Sequence, residues 1–242
     1  MSAQAVDFDV LDELVIDLRD PRPELRVVQG LGLDIEVPAP AYRRWLKPAF
    51  DRTVAALLLL VLLPVLVAIA LTLRVRLGKG ILFRQERVGL GGTPFTVYKF
   101  RTMLPDRRGT RTAAAQPWDG VDRRVTHKTV ADPRHTRVGL FLRRWSLDEL
   151  PQLFNVLRGE MSLVGPRPEL PAVVARYQPW EHARHAVRPG LTGFWQTTAR
   201  AEGPMHDYTY LDLEYVKSIS FGTDLRLLLS TPFAAFGSQK GC

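Results

Sequence analysis

The sequence has almost none of the residues that build disulfide-bonded or cysteine-ligated metal proteins. Of 242 residues one is cysteine, Cys242 at the end of the chain, which excludes a disulfide framework and a cysteine-cluster metal site. Neither G-x-x-x-x-G-K nor G-x-G-x-x-G occurs, so the standard glycine-rich phosphate loops are missing too. There is also no internal repeat. With 46% hydrophobic and 24% charged residues, the composition is nevertheless that of a folded protein.

Histidine-based metal binding also lacks support in the sequence. His182 and His185 are three residues apart, with no H-E-x-x-H pattern and no third ligand nearby. Histidines on a surface or in a packed interior explain this pair better than a zinc site does.

Basic residues are scarce in the first part of the chain. Residues 1–40 contain nine acidic and three basic residues, a net charge of −6, whereas the whole chain has +8 and the remainder therefore +14. Together with Pro38 and Pro40, this difference predicts a boundary near residue 40 that follows a partly disordered acidic arm. The basic remainder indicates a polyanionic partner: nucleic acid, anionic lipid or a phosphorylated substrate.

A long apolar run begins directly after this boundary. The 21 residues from Thr53 to Leu73 carry no charge, and as a helix they would extend for roughly 31 Å, about the thickness of a bilayer core. A buried helix of a soluble domain and a single membrane-spanning anchor are two alternatives. Basic residues flank the run on both sides: Arg43, Arg44, Lys47 and Arg52 before it, and Arg74, Arg76 and Lys79 after it.

Pro64 in the middle of the run favours a third alternative. Because basic flanks favour the cytoplasmic side, a single span cannot satisfy both of them, whereas a hairpin that enters and leaves on one face can. Proline removes a backbone hydrogen bond and bends a helix. We therefore expect residues 41–80 to form a re-entrant helical hairpin with its bend at Pro64, and residues 81–242 to form a cytoplasmic domain.

The secondary structure of that domain follows from short patterns. Residues 81–85 and 95–100 are apolar and rich in β-branched or aromatic side chains, with three glycines between them, which predicts a β-hairpin. Residues 104–131 form a long polar loop. Helices are predicted from Ser146 to about Leu157, over 171–186, and in two amphipathic segments, 211–216 and 225–229, that suit a membrane surface.

The segment from Ser146 to Gln152 is the best candidate for chemistry. Its S-x-x-E pattern is that of a capping box, in which Ser146 and Glu149 close the first turn of a helix. The same geometry allows a catalytic interpretation, since an acid in the first turn stays ionised and can attack a bound phosphate. A neighbouring carboxylate can hold a divalent cation. Asp148 and Glu149 are the two acids in question.

Arginine and lysine are plentiful around this segment, several of them in turns stiffened by proline or glycine. Such rigid positions suit bidentate contacts with phosphate. The basic residues considered are Lys99, Arg101, Arg143, Arg144, Arg167, Arg188 and Arg200.

Four stretches in this order resemble the bacterial sugar transferases, which are monotopic polyprenyl-phosphate phosphoglycosyl transferases. The resemblance covers roughly residues 43–230. Its motifs are FRQERVG with YKFRTM at 83–103, DPR with TRVG at 132–139, SLDELPQ through MSLVGPRP at 146–168, and RPGLTG at 188–193. The sequence departs from the family pattern at Leu63 and at Thr198-Ala199.

The resemblance implies an enzyme that moves a sugar 1-phosphate from a UDP-sugar to polyprenyl phosphate and releases UMP. It implies that Asp148 is the nucleophile, that Asp148 and Glu149 engage Mg²⁺, and that an aspartyl-phosphosugar intermediate forms. Phosphate-binding roles are implied for Lys99, Arg101, Arg167 and Arg200. Further candidate substrate-binding residues are Arg144, Arg188 and Gln196.

We therefore expect an α+β, helix-dominated monotopic membrane protein with a small β-hairpin, on the cytoplasmic face of a bacterial inner membrane. The expected partners are a UDP-sugar, polyprenyl phosphate and membrane lipid, without nucleic acid; a homodimer is left open. A non-enzymatic membrane adaptor with a basic lipid-binding domain is the main alternative. A nucleic-acid binder is a weaker one, because the basic residues are spread through turns and form no stripe.

Overall fold

The computed structural model describes residues 37–104, 134–198 and 208–237. Residues 1–36 of the predicted acidic arm, nearly all of the 104–131 loop, and Arg200 lie outside these ranges. The fold of the described part is helix-dominated, with two small two-stranded sheets.

One long helix forms the first part of the described chain. A π-helical turn over Tyr42–Leu46 leads directly into helix α1, Lys47–Leu77. The segment Tyr42–Leu77 is long and apolar enough to cross a membrane, and most of it is exposed. Pro64 lies inside α1, and the chain is helical on both sides of it. The structure therefore contains the predicted apolar helix, and a re-entrant bend at Pro64 stays a prediction.

The predicted β-hairpin is present. Strands β1, Leu82–Val88, and β2, Pro94–Phe100, are antiparallel, with Leu82 opposite Phe100 and Val88 opposite Pro94. They are joined by the short 3₁₀ turn Leu90–Gly92. Val97 and Phe100 on β2 point into the core, and Phe95 packs against it.

Short helices follow the hairpin in sequence. Helix α2 is Arg137–Arg144; a 3₁₀ helix, Leu147–Gln152, leads into α3, Leu153–Arg158. Gly159 ends α3 with a left-handed φ of 78°, as the glycine after a predicted helix often does. The segment predicted as one helix over 171–186 is instead α4, Pro171–Val174, and a separate 3₁₀ helix, Pro179–Ala186, because Pro179 interrupts the run.

A second, parallel sheet was not predicted. Strands β3, Ser162–Val164, and β4, Gly190–Thr192, pair side by side. A Cβ atom on Gly190 would lie 2.1 Å from the Gly165 nitrogen, so only glycine permits this approach. The sheet brings the turn at 165–168 beside the segment at 188–190.

The last described elements close the domain. Helix α5 is Phe194–Thr198, α6 is Thr209–Ser218 and α7 is Phe221–Gly237, which agrees with the two predicted C-terminal helices. Buried residues of α1, β2, α3, α6 and α7 share one hydrophobic cluster that contains Ala55, Val97, Val156, Val216 and Leu227. The long apolar helix is thus packed onto the rest of the domain and is not a detached anchor.

Candidate active site

The two candidate acids lie on a short 3₁₀ helix whose start differs from the prediction. Ser146 has a left-handed φ of 53°, and its side chain makes no capping hydrogen bond. The Glu149 carboxylate does not close a capping box, because it is paired with two cations. The predicted capping box is therefore wrong, and the reason is that charge-assisted pairing outweighs a bond to a neutral backbone N–H.

Lys99 reaches this helix from strand β2. Its amine lies 2.8 Å from Glu149 Oε1, and about four fifths of both side chains is buried. β2 is held against α3 by Asn155, whose amide donates to the Thr96 carbonyl at 2.7 Å. The strand register thus determines that Lys99 faces the acids.

Arg167 reaches the same carboxylate from the turn Gly165-Pro166-Arg167-Pro168. Its guanidinium nitrogens lie 2.6 Å from Glu149 Oε1 and 3.3 Å from Oε2. This two-point contact is the geometry that arginine makes best. Glu149 therefore has both oxygens engaged by cations.

The carboxylate of Asp148 differs from that of Glu149. Among the residues that the structure describes, it has no hydrogen-bond or ion-pair partner. Burial and the neighbouring Glu149 raise the pKa of Asp148 to about 6, although Lys99, Arg143 and Arg167 act in the opposite direction. Asp148 is thus a carboxylate surrounded by positive charge, and none of that charge is bonded to it.

The same neighbouring groups shift the pKa values of Glu149 and Lys99. Burial would raise the pKa of Glu149, but Arg167 and Lys99 hold it well below its usual range. Burial, together with Arg167, lowers the pKa of Lys99. The cations that lower the pKa values of the two acids therefore come from β2, from the 165–168 turn and, for Asp148, from Arg143.

Arg143 was noted as one of the basic residues around this segment, but it was not among the predicted site residues. In the structure its Nε donates to Thr102 Oγ1 at 2.8 Å, and its Nη1 lies 3.1 Å from His135 Nε2. Its charge lowers the pKa of Asp148. The available clue was its position on α2, five residues before Asp148.

The remaining candidate residues lie on other parts of the domain. Arg101 donates to the Leu77 carbonyl at 2.7 Å, at the end of α1, and Arg188 donates to the Gly159 carbonyl at 3.0 Å. Arg144 is exposed on α2. Gln196 is buried on α5, and neither atom of its amide has a hydrogen-bond partner within the described residues. Arg200 lies outside them.

The site has two carboxylates and no larger donor set. Within residues 37–104, 134–198 and 208–237, no group of three or more His, Cys, Asp or Glu side chains could hold a metal ion. Two carboxylates nevertheless fit Mg²⁺, which commonly takes one or two from the protein and its other ligands from substrate phosphates and water. His182 and His185 pack with Tyr177 at ring-centroid distances of 5.6 and 6.2 Å.

Comparison with known proteins gives a consistent result. The sequence profile of the family described as "Bacterial sugar transferase" matches residues 42–238. The chain is 42% identical over 196 residues to the undecaprenyl-phosphate glucose phosphotransferase of Komagataeibacter xylinus, which covers 76% of this chain and 35% of that protein.

Two further relatives have similar names. Identity is 38% over 209 residues with the UDP-glucose:undecaprenyl-phosphate glucose-1-phosphate transferase of Escherichia coli (strain K12), covering 83% of this chain and 42% of the relative. Identity is 40% over 195 residues with the UDP-galactose-lipid carrier transferase of Erwinia amylovora, and the match covers 78% of this chain and 40% of that relative. The chain thus spans about two fifths of the length of these relatives.

Proposed function

Because this chain belongs to the bacterial sugar transferase family, we propose that it transfers a sugar 1-phosphate from a UDP-sugar to polyprenyl phosphate and releases UMP. The observation that carries this proposal is the contrast between the two acids. Glu149 is bonded to Lys99 and Arg167, whereas Asp148 lies beside these cations with its carboxylate unbonded among the described residues. Such an arrangement attracts a diphosphate and leaves one carboxylate available to react.

The first step is attack by an Asp148 carboxylate oxygen on the sugar-proximal phosphorus of the UDP-sugar. A new Asp148 O–P bond forms while the bridging P–O bond breaks, and UMP leaves with the bonding electron pair. In the second step a phosphate oxygen of the polyprenyl carrier attacks the same phosphorus. The Asp148–phosphorus bond breaks, the carboxylate is regenerated, and polyprenyl diphosphate-linked sugar is released.

The basic side chains are the chain's own contribution to this chemistry. Phosphoryl transfer depends mainly on positioning and on neutralising charge around the phosphorus. Lys99 and Arg167 lie next to Asp148 on fixed elements, and Arg143 adds a third positive charge. Glu149 holds Lys99 and Arg167 in place, so that their charge is directed at the substrate before it binds.

Mg²⁺ is proposed as the cofactor. Asp148 and Glu149 would hold it together with the diphosphate, since Glu149 Oε2 accepts only one contact, from Arg167 at 3.3 Å, and keeps a second lone pair. When bound there, it would neutralise negative charge on the departing phosphate. The carboxylates supply oxygen donors, which suit this hard cation.

The proposed location is the cytoplasmic face of the bacterial inner membrane, with α1 as a re-entrant hairpin. Ala55 and Leu73 lie nine residues on either side of Pro64, and both are fully buried. Apart from the π-helical turn that precedes it, α1 packs mainly on α3 and β3. These elements have six and three residues, too few to cover the face of a straight helix from Ala55 to Leu73. We propose that two arms of α1, in contact across a bend at Pro64, bury these two side chains against each other. Pro64 has no N–H to bond within the helix.

A surface helix supports membrane association independently of α1. Phe221, Leu225, Leu229 and Phe233 on α7 recur at four-residue spacing, and all are exposed, Phe233 at 78%. Side chains at this spacing share one helix face. An exposed apolar face of this kind suits the interfacial region of a bilayer.

The enzymatic proposal is tested with purified full chain, Mg²⁺, polyprenyl phosphate and a panel of UDP-sugars that includes UDP-glucose and UDP-galactose. We expect UMP release from at least one of them. Without the lipid acceptor, we expect about one UMP per enzyme and a mass increase equal to one phosphosugar. Asp148→Asn should give neither, and Glu214→Gln, on an exposed position of α6, should give both. UMP release by Asp148→Asn at the wild-type rate would contradict the nucleophile assignment.

The topology is tested by cysteine labelling in whole cells. Ala41→Cys and Lys79→Cys, both exposed and on opposite flanks of the apolar run, are made in a Cys242→Ser chain and treated with an impermeant maleimide. A re-entrant hairpin predicts no labelling of either position until the cells are permeabilised. Labelling of one flank only would show a single span. Light scattering of the purified protein tests whether it is a homodimer.

A further inference from the structure

The turn that carries Arg167 is fixed by two arginines on other elements, one buried and one partly buried. Arg184, on the 3₁₀ helix Pro179–Ala186, donates to the Arg167 carbonyl at 2.7 Å. Arg87, on β1, donates to the Pro168 carbonyl at 3.1 Å. Both contacts are to the backbone of the turn, so they determine the position of the Arg167 backbone from which its side chain extends.

Backbone hydrogen bonds engage the carbonyls on either side of those two. The Gly190 nitrogen donates to the Pro166 carbonyl at 2.8 Å, and the Val88 nitrogen donates to the Glu169 carbonyl at 2.9 Å. Four successive carbonyls, from residue 166 to residue 169, therefore have fixed partners. Prolines at 166 and 168 further restrict the backbone. The segment therefore holds the Arg167 side chain on a rigid backbone.

Arg184 is the more deeply buried of the two arginines, with 2% exposure. Its guanidinium lies 2.5 Å from Asp212 Oδ2 on α6, bonds the Tyr177 hydroxyl, and packs over the Tyr177 ring. A buried charge requires a partner, and Asp212 provides it. Lysine could not make these contacts together, since its amine has no planar fork.

The structure assigns Arg184, supported by Asp212, as a positioning residue that holds the 165–168 turn so that Arg167 meets Glu149 beside Asp148. This inference rests on the proposed function only for the effect on turnover. The placement of Arg167 is a structural claim and can be tested without activity. If Arg184 no longer held the turn, the Arg167 guanidinium would move and the charge around Asp148 would change. Arg184 influences Asp148 only in this way, through the backbone of the turn.

Turnover is tested with a double-mutant cycle of Arg184→Lys and Arg167→Lys, measured as kcat/KM for UMP release. We expect losses of about 10-fold and about 100-fold for the single variants, and about 100-fold for the double variant, because Arg184 acts through Arg167. Independent effects would multiply to about 1,000-fold and would overturn the proposal. Arg226→Lys, an exposed arginine on α7, is the matched control and should retain full activity.

Placement is tested by NMR of ¹⁵N-arginine-labelled full chain in detergent. The Arg167 Nη signals are identified by their loss in Arg167→Lys. We expect separate signals in wild type and in Arg226→Lys, and averaged signals in Arg184→Lys, since loss of the fixed ion pair frees rotation of the guanidinium. Unchanged Arg167 signals in Arg184→Lys would overturn the proposal. If Arg184→Lys does not fold, Asp212→Asn is measured in its place with the same expectations. A wild type that releases no UMP would refute the proposed function alone.

Discussion

Two charge clusters in this molecule contain the same residue types but differ in the burial and in the bonding of their carboxylates. The reactive cluster consists of Lys99, Asp148, Glu149 and Arg167. The anchoring cluster, which joins α1 to the end of the domain, consists of Tyr42, Lys47, Asp51, Ser162, Tyr215 and Asp224. Each contains two carboxylates and a lysine, but the bonding of the carboxylates differs.

In the anchoring cluster each carboxylate has close partners. Asp224 accepts from Tyr42 at 2.6 Å, from Lys47 at 2.5 Å and from Tyr215 at 2.7 Å. Asp51 accepts from Ser162 at 2.6 Å. A buried carboxylate bonded in this way is fixed and costly to disturb.

In the reactive cluster only one carboxylate is bonded. Glu149 takes both cations, and Asp148 is left beside them without a bond among the described residues. Satisfied charge stabilises a fold, whereas a carboxylate held near charge but not bonded to it is available for reaction. The comparison teaches that composition does not separate the two clusters. The paired side chains of the anchoring cluster are 3–7% exposed and those of the reactive cluster 18–27%, and only the reactive cluster has a carboxylate without a bond among the described residues.

Replacing Asp148 should give the largest effect and the sharpest test of this contrast. Asp148→Asn should lower kcat for UMP release by about 10⁴-fold, because the amide is not a nucleophile for phosphorus. Its apparent Tm should stay equal to that of wild type or rise, since a poorly solvated charge is removed. A lower Tm would show that Asp148 is a structural charge like Asp224.

Replacing Asp224 should give the opposite result. Asp224→Ala leaves Lys47 and two tyrosine hydroxyls without their shared acceptor, at a cost of about 3–5 kcal/mol of stability. Thermal unfolding in detergent should show a Tm lower by about 10 °C, while kcat per folded molecule stays close to wild type. Glu214→Ala, on an exposed position of α6, is the control and should change neither quantity.

Replacing Lys99 tests whether the cations of the reactive cluster act on the reaction. Lys99→Met keeps the apolar stem but removes the charge next to Asp148, and Arg167 still holds Glu149. We expect kcat/KM to fall by about 30-fold, about 2 kcal/mol of transition-state stabilisation, with little change in Tm. A fall in Tm without a fall in kcat/KM would place Lys99 with the anchoring residues.

The smallest expected effect is the pH dependence of stability that His185 causes. This buried histidine belongs to neither cluster and serves as a reference for both. Burial, with Arg184 and His182 nearby, holds the pKa of His185 well below its usual range. The unfolded chain therefore takes up a proton below about pH 6.5 that the folded chain does not, and stability falls as the pH falls. The slope is at most about 1.4 kcal/mol per pH unit for this one proton.

That slope is measured by chemical unfolding between about pH 7 and pH 5, on either side of the ordinary histidine pKa. His185→Phe should be less dependent on pH over this range than wild type. His182→Phe, at a less buried position, should remove a smaller part of the dependence. An unchanged slope in His185→Phe would show that other groups control acid stability.

Much of the fold could be predicted because its signals are local. The apolar run with Pro64, the strands around Gly89 to Gly92, and the helix that ends at Gly159 all depend on side chains within a few residues of each other. The parallel pairing of β3 and β4 could not be predicted, since each strand has three residues and the contact between Gly165 and Gly190 is non-local. The predicted 171–186 helix is divided because Pro179 cannot continue it.

The structure brings together four residues that the sequence analysis singled out, and their roles in a site stay predictions. Asp148, Glu149, Lys99 and Arg167 stand together as expected. The pairing of Glu149 with cations instead of Ser146 could not be read from an S-x-x-E pattern, because the competing partners come from residues 50 and 18 positions away. Arg101 and Arg188 instead donate to backbone carbonyls.

The sequence by itself determined the family, the apolar helix with basic flanks, and which acids and bases are available for chemistry. These follow from residue identity and short-range order, which are written in the chain. The tertiary structure decided which of the two carboxylates is bonded to cations, and that Arg184 donates to the backbone carbonyl of Arg167. Both depend on distances between residues far apart in the chain, and only the folded backbone sets those distances.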